Sequence, residues 1–148
     1  MIRTELLRRQ HAAASEMVIR IVELIDRYAP DSGDAYRIVT QLAKLNGMLR
    51  IHFAQEDHCL YPVMIKSSNP TASCTARAFR SEMGALGDEF EAFMRQWSCS
   101  AAIATSFADF RVESWKIFAA LDARIERENE QLYPLAEALT EGEVRRSA

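Results

Sequence analysis

The segment HFAQEDHCLYP at residues 52–62 recurs in altered form as RIERENEQLYP at residues 124–134. A shift of 72 residues lays one segment on the other, so that Glu56 meets Glu128 and both segments end in Leu-Tyr-Pro. Residues four apart share one face of an α-helix. Each segment therefore predicts a helix that carries its glutamate on the same face as the residue four positions earlier.

The same spacing extends beyond these two segments. His11 lies 41 residues before His52, and Met83 lies 41 residues before Arg124. A spacing shared across the length of a helical hairpin is much less easily explained by chance than a shared Leu-Tyr-Pro. The sequence therefore predicts two copies of a helix pair, related by a pseudo-twofold axis, that bury a common centre.

Chain breakers divide the sequence into four segments of bundle-helix length. They fall at residues 29–34 (APDSGD), 66–70 (KSSNP) and 98–102 (SCSAA), and five Gly and four Pro are too few for a turn-rich β-sandwich. Short connections make sequential helices antiparallel neighbours. We expect one domain, residues 1–148, that folds as an up-down-up-down antiparallel four-helix bundle.

In each segment, apolar residues recur at alternating steps of three and four, which predicts one buried face per helix. The face of the second segment continues through Cys59, expected as an inert buried thiol, to Val63. That of the fourth continues past Glu128 to Gln131, Leu132 and Leu135. The prolines of the two Leu-Tyr-Pro triplets, Pro62 and Pro134, are each expected to kink or end a helix.

Composition and charge exclude several classes of protein. The formal net charge is −3 with no Lys/Arg block, so no electrostatic case for nucleic acid exists. No apolar run reaches the ~18 residues of a membrane span, and the N-terminus lacks the apolar run of a signal peptide. Three cysteines without CxxC spacing favour a reducing compartment. We therefore expect a cytoplasmic protein that contacts neither nucleic acid nor membrane.

Five ionisable residues interrupt the predicted buried faces. They are His11, His52, Glu56, Arg124 and Glu128. An unpaired buried charge costs several kcal/mol, on the order of the whole stability of many domains. These side chains must therefore interact with one another or with a metal ion.

A histidine in the first helix, followed by His-Phe-x-x-Glu-(Asp/Glu)-x-x-Leu-Tyr-Pro in the second, resembles the hemerythrin-like, or HHE cation-binding, family. The fourth helix, with LYPLAE at residues 132–137, resembles it too. The resemblance covers nearly the whole chain. It implies a four-helix bundle with a non-haem iron pair in its core, and a role in binding or sensing dioxygen, nitric oxide or redox state, or in iron handling.

Carried over residue by residue, the resemblance makes His11, His52 and Glu56 the first-half metal ligands and Glu128 the second-half carboxylate. Where the family has further histidines, this chain has Met83 and Arg124. Arginine keeps its proton and does not ligate metals, and a thioether suits copper(I) better than iron(II) or zinc. A reversible oxygen carrier of the ordinary hemerythrin type is therefore not expected.

Two interpretations of the core remain open. In the first, His11, His52 and Glu56, with Glu128 as a further ligand, hold one ion of iron, zinc or manganese. In the second, no metal is bound, and Arg124 lies between Glu56 and Glu128 as the internal cation of a structural or protein-interaction bundle. Arg124 then offsets the charge of one glutamate, and one protonated histidine offsets that of the other.

The sequence favours a small binding or sensing module over an enzyme. Neither a phosphate-binding glycine loop nor a nucleophile elbow is present. The expected partner is a metal ion or a small diatomic ligand, and both a protein partner and a homodimer stay open.

Overall fold

The computed structural model describes residues 2–147, and of Val144 the backbone alone. The helices are α1 (Thr4–Asp26), α2 (Asp34–Gln55), α3 (Tyr61–Lys66), α4 (Pro70–Gln96), α5 (Ser100–Thr105), α6 (Phe107–Arg127) and α7 (Tyr133–Ser147). Two five-residue π-helical turns, Glu56–Leu60 and Glu128–Leu132, join α2 to α3 and α6 to α7. No strand occurs within residues 2–147, which confirms the all-α prediction.

The helices of the two halves pack around a common interior. Helix α1 packs against α2, and α4 packs against both α3 and α6. Contacts of α1 with α6 and α7 connect the two halves. The up-down-up-down order stays a prediction.

The connections between helices fall at the predicted breakers. The first contains Gly33, whose φ of 85° lies in the left-handed region that glycine tolerates. The side chain of Asn69 accepts a hydrogen bond from the backbone N–H of Ala72 at 3.1 Å and so caps α4. The third connection differs from the prediction, because it contains the short helix α5, whose Ile103 is fully buried.

Two apolar clusters fill the interior, one on each side of the polar residues. On α1, His11 lies between Leu7, which belongs to the smaller cluster, and Ala14, which belongs to the larger one. On the path from α2 to the first π turn it passes from Leu49, through His52, to Leu60. The ionisable residues therefore form a buried polar layer. No helix in the described part of the chain has the length and apolar character needed to cross a lipid bilayer.

The first π turn shifts the buried face by one residue. A π turn contains about one residue more than an α turn. After Glu56, the buried residues are therefore Leu60 and Met64, while Cys59 and Val63 are exposed. The predictions that Cys59 and Val63 lie in the core are wrong, because the periodicity of an α-helix was continued through a turn of a different period.

The second π turn has the same effect in the second half. Leu132 and Ala136 are fully buried after it, whereas Gln131 is exposed and Leu135 only half-buried. The two turns begin 72 residues apart, the shift that relates the two sequence segments. The internal repeat is thus visible in the backbone as well as in the sequence.

Each proline lies two residues after the end of a π turn, as the second residue of α3 or of α7. The helical path continues through Pro62 and Pro134, so neither proline ends its helix. The N–H of Tyr61 donates to the carbonyl of Glu56, and the N–H of Tyr133 donates to that of Glu128. These wider hydrogen bonds accommodate the break in the ladder that a proline, which has no N–H, imposes.

Candidate metal centre

Helices α1 and α2 bring two buried histidines face to face. The Nε2 atoms of His11 and His52 lie 3.0 Å apart. The Nδ1–H of His52 donates to Oε1 of Gln10, and the Nδ1–H of His11 donates to Oδ1 of Asn129, each at 2.8 Å. The amide nitrogen of Gln10 donates to Gln55, which keeps its oxygen towards His52. Both imidazoles therefore present Nε2 to the same point.

The two glutamates open the two π turns, and both contact His52, although only Glu128 also reaches His11. Oε2 of Glu128 lies 2.9 Å from Nε2 of His11 and 3.8 Å from Nε2 of His52. His11, His52 and Glu128 each offer one ligand atom, all within 4.8 Å of one another. Oε1 of Glu56 lies 3.1 Å from Nε2 of His52 and accepts no hydrogen bond. Of the four residues that the sequence predicts as metal ligands, His11, His52 and Glu128 form this group, and Glu56 lies beside His52 outside it.

Tyr133 completes the cluster as a hydrogen-bond donor. Its hydroxyl donates to Oε2 of Glu56 at 3.2 Å and lies 3.2 Å from Nε2 of His11 and 3.4 Å from Oε2 of Glu128. Burial and the nearby negative charges of Glu56 and Glu128 raise the pKa of Tyr133. The phenol therefore stays protonated and acts as a hydrogen-bond donor. The only sequence signal was the tyrosine shared by the two Leu-Tyr-Pro triplets.

The protonation of the cluster follows from its mixture of charges. Burial lowers the pKa of His52, but the nearby carboxylates of Glu128 and Glu56 and their negative charges outweigh burial and raise it to about 9. Burial raises the pKa of Glu56. Burial acts in the same direction on Glu128, but its close contacts with both histidines and the positive charge of Arg124 hold the pKa of Glu128 well below its usual range. Without a metal ion, the cluster therefore holds a proton on His52.

Arg124 contacts only one of the two glutamates predicted as its partners. Its Nε donates to Oε1 of Glu128 at 2.5 Å, and its Nη2 donates to the hydroxyl of Tyr61 at 2.9 Å and to the carbonyl of Phe79 at 2.7 Å. No ion pair joins it to Glu56 among residues 2–147. The predicted fork between Glu56 and Glu128 is wrong, because each glutamate faces the residue four positions earlier on its own helix.

Glu82 is the second carboxylate that Arg124 contacts. Nη1 of Arg124 donates to Oε2 of Glu82 at 3.4 Å, and Nη1 of Arg127 donates to the same oxygen at 2.6 Å. The side chain of Glu82 is 47% exposed. A chain of charged groups therefore runs from the buried Glu128 through Arg124 to the surface.

Met83 contributes no ligand of the kind that the first half supplies. It is buried on α4, at the repeat counterpart of His11. With Arg124 at the counterpart of His52, the second half adds Glu128 alone to the cluster of ligand atoms. The two halves therefore differ in the candidate ligands that they supply, as the sequence predicts.

The donor set fits a cation. Two imidazole nitrogens and two carboxylates suit iron(II), zinc or manganese. The unpaired oxygen of Glu56 is a buried acceptor that lacks a donor, as expected for a ligand atom. A π turn inside a helix is also frequent at functional sites.

A comparison with family models gives an independent identification. Residues 3–136 match the model of the hemerythrin HHE cation binding domain. Searches of the curated proteins and of the solved structures found no match. The match spans nearly the whole chain, as the resemblance in the two repeated segments implied. This chain belongs to the hemerythrin HHE cation-binding domain family.

Proposed function

We propose that this protein binds a single divalent cation through His11, His52, Glu56 and Glu128. The observation that carries the proposal is the pair of Nε2 atoms 3.0 Å apart. Because the Nδ1 atoms donate to amide oxygens, two nitrogen lone pairs face each other. A proton or a cation must lie between them, and the two carboxylates supply the negative charge that a cation requires.

A single ion is proposed because the second half lacks ligands for another. Arg124 brings a permanent positive charge to the position that His52 has in the first half. Met83 offers a soft sulfur atom, which iron(II), zinc and manganese do not prefer. Glu128, the remaining ligand, is shared between the cluster and Arg124.

The metal-free interpretation is less well supported. It requires a protonated histidine as the counter-ion of Glu56, because Arg124 makes its ion pairs with Glu128 and Glu82. A protonated His52 would satisfy Glu56 in part, but Oε1 of Glu56 accepts no hydrogen bond. A cation bound to Oε1 of Glu56 would give this buried oxygen the partner that it lacks.

We propose iron(II), with zinc or manganese as the other candidates, and a role in binding or sensing the metal, a small diatomic ligand or redox state. Iron(II) accepts more ligands than the four that the protein supplies, which leaves positions for a small molecule. Tyr133 would then offer a hydrogen-bond donor at the edge of the site.

Metal content tests the proposal directly. Untagged protein is purified without chelator, supplied anaerobically with iron(II) or with zinc, and measured by elemental mass spectrometry. We expect about one ion per chain in the unaltered protein and none in His52→Ala. His58→Ala is the matched control, because His58 is an exposed histidine six residues further along. Two ions per chain, or none after reconstitution, would overturn the proposal.

A further inference from the structure

Arg124 lies beside the proposed cation site and shares a ligand with it. Its side chain is 6% exposed, and its Nε donates to Oε1 of Glu128 at 2.5 Å. The other oxygen of the same carboxylate, Oε2, faces Nε2 of His11 at 2.9 Å. A bound cation and the guanidinium would therefore lie on opposite sides of one carboxylate group, both within the buried interior.

The guanidinium is held in this position by four hydrogen bonds. Besides Glu128 and Glu82, its Nη2 donates to the hydroxyl of Tyr61 and to the carbonyl of Phe79. The ring of Phe79 also lies 4.5 Å from the central carbon of the guanidinium. Arg124 thus cannot turn away from the site without losing several buried hydrogen bonds.

The charges around the site balance differently for divalent and trivalent ions. Glu56 and Glu128 contribute two negative charges and Arg124 one permanent positive charge. With two neutral histidines, a divalent ion gives the site a net charge of +1, whereas a trivalent ion gives it a net charge of +2. Each additional buried charge is less well screened than it would be in water. Glu82 offsets part of it, but not all, because it is half-exposed and is also bonded to Arg127.

We propose that Arg124 determines the charge specificity of the centre, so that it binds divalent cations in preference to trivalent ones. This inference rests on the proposed function. An ordinary second-half histidine would be neutral and would impose no such preference. In this chain the guanidinium would hold the site in the divalent state of whichever metal it takes.

Zinc and gallium(III) are suitable probes, because neither undergoes redox chemistry under these conditions. Affinities are measured by competition with chelators, with gallium supplied as its citrate complex. The quantity compared is the ratio of gallium to zinc affinity. We expect Arg124→Gln to raise this ratio about tenfold or more, since it removes one neighbouring unit charge. Arg124→Lys retains the charge and should change the ratio less than about threefold.

Two further variants separate the effect of charge from that of packing. Arg127→Gln removes a positive charge from the exposed partner of Glu82 and should leave the ratio unchanged. Glu82→Gln removes a negative charge next to Arg124 and should lower the ratio by about two- to threefold. Because Glu82 is half-exposed, this variant is expected to fold even if the variants at Arg124 do not.

Failure of this inference is distinct from failure of the proposed function. Folding of each variant is checked by far-ultraviolet circular dichroism. An equal ratio in the unaltered protein and in folded Arg124→Gln would overturn the inference while zinc binding still supports the metal site. If Arg124→Gln does not fold, an unchanged ratio in Glu82→Gln overturns it. Absence of zinc binding by the unaltered protein would contradict the proposed function itself.

Discussion

Gln10 and Glu82 occupy equivalent positions in the two halves, and each accepts a hydrogen bond from the side chain that lies 42 residues later. Gln10 accepts from Nδ1 of His52 at 2.8 Å, and Glu82 accepts from Nη1 of Arg124 at 3.4 Å. The acceptor is neutral where its partner is a candidate metal ligand and charged where its partner is a cation. The change from histidine to arginine is therefore matched by a change in the residue that supports it.

Gln10 should influence metal affinity without touching the ion. We expect Gln10→Leu to weaken zinc binding about 10- to 100-fold, because the orientation and tautomer of His52 depend on this acceptor. Gln10→Glu should not weaken it, since a carboxylate also accepts from Nδ1 and makes the imidazole more basic. Calorimetric titration with zinc measures both effects. Gln131→Leu, on the exposed side of the second π turn, is the control, and equal affinities in all variants would contradict the prediction.

Arg124 should stabilise the protein strongly when metal is absent. Arg124→Met leaves the carboxylate of Glu128 without its buried partner, and we expect a loss of about 3–5 kcal/mol in the free energy of unfolding. Arg127→Met breaks a half-exposed pair and should cost less than about 1 kcal/mol. Urea unfolding in the presence of chelator gives both values. A loss below about 1 kcal/mol in Arg124→Met would show that Glu128 does not depend on Arg124.

The stability of the metal-free protein should fall as pH rises from about 6.5 to about 9. The pKa of His52 is raised from 6.5 to about 9 in the folded protein, so its contribution is complete below 6.5 and is lost as pH passes through 9. Zinc competes with this proton for Nε2, so zinc binding should strengthen over the same range. The two trends are opposite in sign.

Thermal unfolding across this pH range, with chelator and with zinc, distinguishes the trends. We expect the melting temperature to fall with pH in chelator, and the difference between zinc and chelator to widen. His58→Ala should behave like the unaltered protein. A melting temperature in chelator that does not change with pH would contradict the assigned proton on His52.

The π turn predicts a reactive thiol where the sequence alone predicts a buried one. Cys59, Cys74 and Cys99 are all exposed. We expect all three to react with Ellman's reagent in the folded protein at similar rates, without denaturant. A Cys59→Ser variant should release one equivalent less. If Cys59 reacts only after unfolding, the one-residue shift of the buried face is contradicted.

The buried polar layer could be predicted from sequence because the cost of burying charge is general. His11, His52, Glu56 and Glu128 interrupt apolar periodicity, and residues in that position must find partners whatever the details of packing. The partner of each was less predictable. Glu56 and Arg124 lie on the predicted buried faces, but the shortest ion pair of Arg124 is with Glu128, four residues further along its own helix.

The π turns and the supporting residues could not be predicted in this way. A turn with one additional residue does not change the apolar pattern that precedes it. The α-helical period therefore extends in the sequence to Cys59 and Val63, and nothing in the pattern indicates that the buried face has shifted. Gln10 and Asn129 lie beside the predicted buried faces, where polar residues are normally solvated. The 72-residue shift that lays Gln10 on Glu82 was the one available signal.

The two π turns also mark equivalent positions in the two halves. An additional residue lies at the same place in both halves and is followed in each by Tyr-Pro. The exchange of histidine for arginine is confined to the second half. Because both halves belong to one chain, one half can keep its histidines while the other carries Met83 and Arg124, which a symmetric dimer of identical helix pairs could not do.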